Sequence, residues 1–166
     1  MNDNTFDPQE AGKKLLEHLR QYRHDRGALA NLRGALKPAQ RHRAWSYLGR
    51  VGGIGNPRYE IVAGLFAYYP DGDDSTAGNL GATCQRLADE NNTFEGRFRR
   101  LLTCDRREVC ERIVPIILAA KAKGTPVNYE QLFADLCYWS DNVKERWARE
   151  YWGDAEPVAT EQEATA

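Results

Sequence analysis

The residues of this sequence best suited to chemistry are its arginines. Of the 23 basic side chains, 17 are Arg and six are Lys. The planar guanidinium group presents its N–H donors in a fixed fork, which fits the oxygens of a phosphate better than the point charge of lysine does. This composition favours binding to the phosphates of a nucleic acid. The candidate binding residues are Arg26, Arg33, Arg97, Arg99, Arg100, Arg106, Arg107, Arg112, Lys121 and Lys123.

The candidates cluster along the chain. Six arginines fall within the 16 residues from 97 to 112, where only three acidic residues offset them. Arg97 and Arg100 are three residues apart, so on a helix they lie on the same side. Arg26 and Arg33 are seven residues apart, which places them two helical turns apart on one face. The spacing predicts a positively charged groove that follows a nucleic-acid backbone.

The charge of the chain is unevenly distributed. The formal net charge is −1, yet residues 1–10 and 153–166 hold seven acidic residues and no Lys or Arg, so residues 11–152 carry +6. A basic body between acidic ends is typical of proteins that bind polyanions. The alternative is an ordinary solvated helix face with local ion pairs, such as Glu108 with Arg112. Charge alone does not separate these two interpretations.

The sequence carries no pattern typical of a catalytic or metal site. His18, His24 and His42 do not have the spacing of metal ligands. The glycine-rich segment 49–55 lacks the glycine spacing of a phosphate loop, and it is predicted to be a turn. The acidic segment 70–75 lacks the alternating ligands and the closing Glu of a calcium loop. We therefore expect a non-enzymatic protein with no cofactor, no metal and no small-molecule substrate.

Apolar residues recur at helical spacing along nearly the whole chain, without runs of strict apolar–polar alternation. This predicts an all-α protein, a compact two-lobed helical bundle of about eight or nine short helices. We expect the lobes at residues 11–90 and 91–152, between an acidic N-terminal tail (1–10) and a disordered acidic tail (153–166). Pro115, inside the most apolar stretch, should kink its helix or divide it into two.

Several aromatic residues near the end of the chain have two interpretations. Trp139, Trp147 and Tyr151 could stack on nucleic-acid bases, as aromatic residues of single-strand binders do. The spacing of Val143, Trp147 and Tyr151, at i, i+4 and i+8, instead favours packing in the core. Trp152 lies off this stripe and is predicted to contact another subunit, since tryptophan is enriched at interfaces.

The remaining reactive side chains are predicted to be structural. Cys84, Cys104, Cys110 and Cys137 form no C-x-x-C pair and are expected to be reduced thiols that pack within helices. His18 is expected to be exposed to solvent, because other residues carry the apolar stripe of its helix. The sequence begins without a basic region followed by an apolar one, so we expect a cytoplasmic protein with no membrane partner.

Four local motifs occur in order along most of the chain. They are Arg-Gly-Ala-Leu-Ala-Asn-Leu-Arg at 26–33, Asn-Pro-Arg at 56–58, Arg-Phe-Arg-Arg-Leu-Leu at 97–102 with Asp-Arg at 105–106, and Tyr129, Leu132, Asp135, Leu136 and Trp139 followed by Trp-Ala-Arg-Glu-Tyr-Trp at 147–152. With this order and spacing, the chain resembles the CasB family, the small subunit of the type I-E CRISPR surveillance complex called Cascade.

The resemblance implies a two-lobed helical subunit without enzymatic activity. Two copies would form the inner belly of Cascade, beside the subunits that hold the CRISPR RNA. The family helps to hold the open R-loop, chiefly by binding the displaced non-target DNA strand through a basic groove. The implied partners are therefore other Cascade subunits with CRISPR RNA, displaced single-stranded DNA and a second copy of the chain. Clustered arginines without base-reading motifs suit such backbone binding.

Two other functions stay open at this point. A helical regulator of transcription would bind duplex DNA, but it needs a recognition helix after a short turn, and no segment provides a convincing one. A purely scaffolding helical adaptor would use its arginines to meet acidic protein partners. The presence or absence of nucleic acid in the native complex separates these alternatives.

Overall fold

The computed structural model describes residues 5–88 and 93–154, and within them the chain is all-α. This part contains nine α-helices and no β-strand, which confirms the predicted fold class and helix number. The helices are α1 (Pro8–Arg20), α2 (Arg26–Arg33), α3 (Trp45–Leu48), α4 (Pro57–Tyr68), α5 (Leu80–Ala88), α6 (Phe94–Leu102), α7 (Glu108–Lys123), α8 (Tyr129–Cys137) and α9 (Asp141–Trp152). Short 3-10 segments lie at Gly34–Leu36, Pro38–Ala44, Gly49–Val51 and Pro70–Gly72.

Side-chain caps explain where several helices begin. The carboxylate or amide oxygens of Asp7, Asp25, Asn56 and Asn128 accept hydrogen bonds from backbone N–H groups in the first turns of α1, α2, α4 and α8, at 3.0–3.1 Å. Such caps satisfy N–H groups that have no partner within the helix. At α4 the cap is followed by Pro57, whose fixed backbone angle suits the first helical position.

Pro115 does not divide its helix. Helix α7 runs without interruption through 16 residues, so of the two outcomes expected at Pro115 the division into two helices is wrong, and the kink stays a prediction. A proline removes one backbone N–H donor, here the partner of the Glu111 carbonyl. The apolar face of α7, with Ile113, Ile116 and Ile117, is buried on both sides of that position, and this packing holds the two halves in one helix.

The predicted lobe boundary and the C-terminal tail fall mostly outside the described residues. The boundary at 90–91 lies within 89–92, and residues 155–166 also lie outside. Helix α1 begins at Pro8, inside the stretch assigned to the N-terminal tail. One buried apolar cluster extends from α1 to α9, with α1 packed on α8 and α5 packed on α9. The division into two lobes stays a prediction.

Tyr129, at the start of α8, connects the ends of three helices. Its hydroxyl donates to the carbonyl oxygen of Tyr69 at 2.8 Å and lies 3.3 Å from that of Leu65, at the end of α4. The Tyr69 hydroxyl in turn donates to the Thr125 carbonyl oxygen at 2.9 Å, just after α7. Burial raises the pKa of Tyr129, so the hydroxyl remains a donor.

Asp135 connects α8 to α9 through a buried carboxylate. It is 3% exposed and accepts hydrogen bonds from Trp147 Nε1 at 2.8 Å and Gln131 Nε2 at 2.9 Å. Arg146 approaches it at 3.8 Å. Burial raises the pKa of Asp135 despite these partners. Trp139, Trp147 and Tyr151 are all buried, which confirms their interpretation as core residues.

His18 is buried, so its predicted exposure is wrong. It is 8% exposed, its Nε2 lies 2.9 Å from the Tyr47 carbonyl oxygen, and its ring packs edge-on against Tyr22. Tyr47, on α3, covers a side of α1 that the apolar stripe does not mark, and this tertiary contact was not visible in the sequence. Of the cysteines, Cys84 and Cys104 are buried. Cys110 and Cys137 are half-buried, and burial is the main cause that raises the pKa of all four thiols.

Two glycines provide a matched test of the α5–α9 packing. A Cβ at Gly81 would clash with the carbonyl oxygen of Trp147, whereas a Cβ at Gly96 in α6 would meet open space. We expect Gly81→Ala to lower the free energy of unfolding by about 1–3 kcal/mol. Gly96→Ala should raise it by about 0.5–1 kcal/mol, since alanine has the higher helix propensity. Urea denaturation measures both, and equal shifts would contradict the close α5–α9 approach.

The second stability prediction concerns Asp135. Asp135→Ala leaves the buried Trp147 N–H without an acceptor, and such a group costs about 1–3 kcal/mol. We expect the free energy of unfolding in urea to fall by about 2 kcal/mol. Asp154→Ala is the control, because this exposed carboxylate pairs with the exposed Arg149 and should contribute at most about 1 kcal/mol.

The decrease in the free energy of unfolding caused by Asp135→Ala should also depend on pH. Because the pKa of Asp135 is raised in the folded state, the folded chain holds this proton more tightly than the unfolded chain. This contribution to stability is present below the ordinary carboxyl pKa and is lost as the pH rises through the folded-state value. The difference between wild type and variant should therefore be larger at acidic than at neutral pH in the same urea titrations.

Candidate nucleic-acid interface

The ten candidate basic residues are all exposed, but they do not form one surface. The structure separates them into a group of three arginines between α6 and α7, a group near the end of α4, and five single residues, of which Arg99, Arg106 and Lys123 contact other parts of the chain. These groups differ in the partners of their side chains. A cation that is paired with a carboxylate attracts a phosphate less strongly, because the carboxylate offsets its charge.

The first group forms what we call the α6–α7 cleft. Arg97 and Arg100 of α6 and Arg112 of α7 line an opening of about 260 Å³. Its other lining residues are Leu101, Pro115 and Ile116. The lining contains no carboxylate, and the apolar residues form part of the wall from which the guanidinium groups project. The structure therefore brings together three of the six arginines in the densest sequence cluster.

Packing of α6 explains why these arginines face outward. Phe98 and Leu101 are buried, and the Phe98 ring stacks on Tyr151 of α9 with 4.1 Å between the ring centroids. The side of α6 that carries these apolar residues is directed to the core, as its amphipathic sequence requires. Arg97 and Arg100, three residues apart, are left on the neighbouring exposed side.

The three guanidinium groups of the cleft have no hydrogen-bonded or ion-paired partner within the described ranges. The ion pair between Glu108 and Arg112, considered from the sequence, is not among the ion pairs of those ranges. The nearby Asp105 carboxylate instead accepts from the backbone N–H groups of Glu108 at 2.8 Å and Arg107 at 2.9 Å. These bonds lower the pKa of Asp105 and hold its carboxylate at the N-terminus of α7.

Arg99 is directed elsewhere, although it is adjacent to Arg100. Its Nε lies 3.6 Å from Glu95 Oε2, and its guanidinium carbon lies 4.9 Å from the centre of the Trp152 ring. Trp152 Nε1 donates to the same Glu95 side chain at 2.8 Å. Trp152, which is 43% exposed, thus belongs to a small cluster with Glu95 and Arg99. Its predicted contact with another subunit stays a prediction.

Arg106 and Lys123 donate to backbone carbonyl oxygens. Arg106 Nη2 donates to Cys137 at 2.9 Å, at the end of α8, and Lys123 Nζ donates to Leu87 at 3.1 Å, near the end of α5. These contacts connect helices without neutralising the cations. The side chains of Arg26, in the first turn of α2, and Arg107, just before α7, are exposed and form no hydrogen bond or ion pair within the described part of the chain.

The second group lies in what we call the α2–α4 cleft. Arg33, Lys37, Arg43 and Tyr68 line an opening of about 280 Å³ together with neutral residues. Lys121 of α7 places its ammonium group 4.6 Å from the centre of the Tyr68 ring. Arg112 and Lys121 are nine residues apart, or two and a half turns, so they project from opposite sides of α7. The two clefts are therefore separate.

Lys37 and Arg43 are the basic residues of this cleft that the sequence did not single out. Lys37 directly precedes the 3-10 segment Pro38–Ala44, and Arg43 lies within it. The segment has no α-helical periodicity from which the sequence could assign these residues to a face. Arg43 Nε and Nη2 donate to Asn31 Oδ1 at 3.2 and 3.1 Å, a contact across 12 residues that brings the segment back to α2. The available signal was only the local density of basic residues around position 40.

Two further structural findings bear on function. No group of three or more His, Cys, Asp or Glu side chains within 5–88 and 93–154 is arranged to hold a metal ion. None of the helices in the same ranges is both long and apolar enough to cross a membrane.

Comparison with known proteins assigns the chain to a family. The sequence model of the family described as CRISPR-associated protein Cse2 matches residues 28–152, which is most of the chain. The chain belongs to the Cse2 family. The matched residues contain nearly all of the four motifs found in the sequence, so membership confirms the resemblance to CasB.

Solved structures and one curated relative agree with this assignment. The CRISPR-associated protein Cse2 of Thermus thermophilus is 32% identical over 96 residues, 56% of this chain, and the chain matches about half (54%) of that relative's length. A crystal structure of a Cse2-family protein from Thermus thermophilus superposes with a TM-score of 0.73 at 26% identity, covering 86% of this chain and 98% of the other. For CasB from Thermus thermophilus the TM-score is 0.71, at the same identity and coverage. M. ruber CasB shares the fold, with a TM-score of 0.68 at 22% identity over 94% of this chain and 98% of the other.

Proposed function

We propose that this Cse2-family chain is the non-catalytic small subunit of a type I-E CRISPR Cascade complex. In this role it binds the nucleic-acid backbone and stabilises the R-loop by holding the displaced non-target DNA strand. The observation that carries the proposal is the α6–α7 cleft, where three guanidinium groups meet that form no hydrogen bond or ion pair within residues 5–88 and 93–154, and where no carboxylate of those residues lines the opening.

The chemistry of the cleft suits the phosphates of a nucleic-acid backbone. Each guanidinium fork can donate two parallel hydrogen bonds to phosphate oxygens. Binding of this kind releases counterions, weakens steeply with salt and needs no base sequence. Formation of an R-loop exchanges one duplex for another of similar stability, so a few contacts to the freed strand are enough to shift the balance.

Family membership supports the proposed partners. They are the other Cascade subunits with their CRISPR RNA, the displaced single strand and a second copy of this chain. The proposal assigns no bond-breaking step to the chain. A scaffolding adaptor and a duplex-DNA regulator remain the alternatives, and both predict a different composition of the native complex.

The first test is affinity purification of the tagged full chain from its native host at moderate salt. We expect a fixed multi-subunit particle that contains an RNA of guide length. A particle without nucleic acid would favour the adaptor. A chain recovered alone, or with duplex DNA and no RNA, would overturn the proposal, and the second of these results would favour the regulator.

The residue-level prediction concerns Arg97 and Arg100. The double substitution Arg97→Glu with Arg100→Glu replaces two cleft cations with anions. Charge-assisted hydrogen bonds contribute about 1.5–3 kcal/mol each, so affinity for single-stranded DNA should fall by at least about tenfold. The slope of log K against log salt should become shallower by about 1.4, because each lost phosphate contact contributes about 0.7. Fluorescence anisotropy across a salt series measures both quantities.

Lys13→Glu is the matched control, because Lys13 is an exposed cation on α1 and lines neither cleft. It should leave DNA affinity within about twofold, since an isolated surface charge acts weakly at ordinary salt. In the assembled complex, the double variant should destabilise the R-loop while the subunits still assemble. Loss of assembly with unchanged DNA affinity would instead place these arginines at a protein interface.

A further inference from the structure

Tyr68 is an exposed aromatic residue at the end of a buried helical stretch. Residues 62–67 of α4 are all buried, yet the following Tyr68 is 36% exposed and lines the α2–α4 cleft. Its neighbour Tyr69 is buried, where its hydroxyl donates to Thr125. The core thus accounts for the residues on both sides of Tyr68 and leaves its ring partly exposed, with Lys121 over one face.

The charges around this ring are positive and uncompensated. Arg33 Nη1 donates to the Ala67 carbonyl oxygen at 3.3 Å. Arg43 donates to the side-chain amide oxygens of Asn31 and Gln40. These acceptors orient the guanidinium groups but carry no net charge, and no carboxylate lines the cleft. Lys37 in the lining adds a third cation, and Lys121 places its ammonium group over one face of the Tyr68 ring, 4.6 Å from its centre.

The other exposed aromatic residues differ in their surroundings. Trp152 donates to the carboxylate of Glu95. Phe6 lines an opening in which two acids, Asp7 and Glu10, offset two bases, Lys14 and Arg50.

Tyr138 lines an opening with Arg106, which donates to the neutral Cys137 carbonyl oxygen, and with Arg146, which approaches the buried Asp135 carboxylate. Among the exposed aromatic rings in the described residues, Tyr68 is the one that shares a cleft with three cations, none of which pairs with a carboxylate.

We propose that the α2–α4 cleft is a second nucleic-acid subsite, specific for single strands, in which an unpaired base stacks on Tyr68. Arg33, Lys37 and Arg43 contact the phosphates on either side of that base. The inference rests on the proposed function for the class of ligand, but it uses a surface on the opposite side of α7 from the α6–α7 cleft.

The requirement for a single strand follows from the geometry of stacking. In a duplex the faces of each base are covered by its neighbours, so an aromatic side chain reaches them only at an end or after unstacking. A single strand exposes these faces, and stacking on an aromatic residue tolerates any base. The subsite thus discriminates displaced strand from duplex without reading sequence.

The test compares two DNA probes of about 12 nucleotides, within the size range of single-strand sites. One carries bases at all positions, and the other has the same backbone with abasic sites throughout its centre. Fluorescence anisotropy with the full chain measures affinity for each. Tyr68→Leu should weaken binding of the base-containing probe by about tenfold, the scale of one lost base stack. It should leave the abasic probe and the salt slope unchanged, because no phosphate contact is removed.

Two variants complete the design. Tyr68→Trp keeps an aromatic face and should restore affinity for the base-containing probe. Phe6→Leu removes another exposed aromatic ring, one whose opening has balanced charges, and should change neither affinity. Thermal unfolding of each variant verifies that the fold is retained.

The outcomes separate this inference from the proposed function. Equal weakening of both probes by Tyr68→Leu, or no weakening of either, would overturn the stacking role while leaving backbone binding at Arg97 and Arg100 intact. A wild-type chain that binds neither probe would overturn both proposals. Weakening confined to the base-containing probe, with rescue by Tyr68→Trp, is the supporting result.

Discussion

The position of helix α8 is the constraint on which both basic clefts depend. At its start, the Tyr129 hydroxyl holds the carbonyl oxygens at the end of α4, and thereby the backbone that carries Tyr68. Toward its end, the buried Asp135 accepts from Trp147 and so holds α9. Helix α9 presents Tyr151 to Phe98, which orients α6 and its arginines. Buried polar contacts of this kind tolerate little change, because an unmatched partner is costly.

A second feature common to both clefts is the way their cations are kept available. Near the α2–α4 cleft, Arg33 and Arg43 donate to carbonyl and amide oxygens, which restrict the side chains without cancelling their charge. Near the α6–α7 cleft, the Asp105 carboxylate is occupied by backbone N–H groups at the start of α7. Where a carboxylate does pair with a candidate arginine, as Glu95 does with Arg99, the side chain turns away from the cleft.

The family assignment and the geometry support the same class of function from different directions. Membership in the Cse2 family rests on residues 28–152 as a whole, including many core positions that bind nothing. The clefts rest on a few exposed side chains, which a shared fold does not determine. A subunit that holds a displaced strand needs sequence-independent contacts, and arginines without base-reading partners provide them.

The sequence by itself determined the fold class, the core role of Trp147 and the family, because these depend on local spacing and composition. Only the tertiary structure decided that His18 is buried under Tyr47, that α7 continues through Pro115, and that Arg97, Arg100 and Arg112 meet while Arg99 does not. Lys37 and Arg43 join Tyr68 only through packing of a 3-10 segment on α2. Periodicity assigns a residue to a face of its own helix, but the contacts of that face depend on elements distant in sequence.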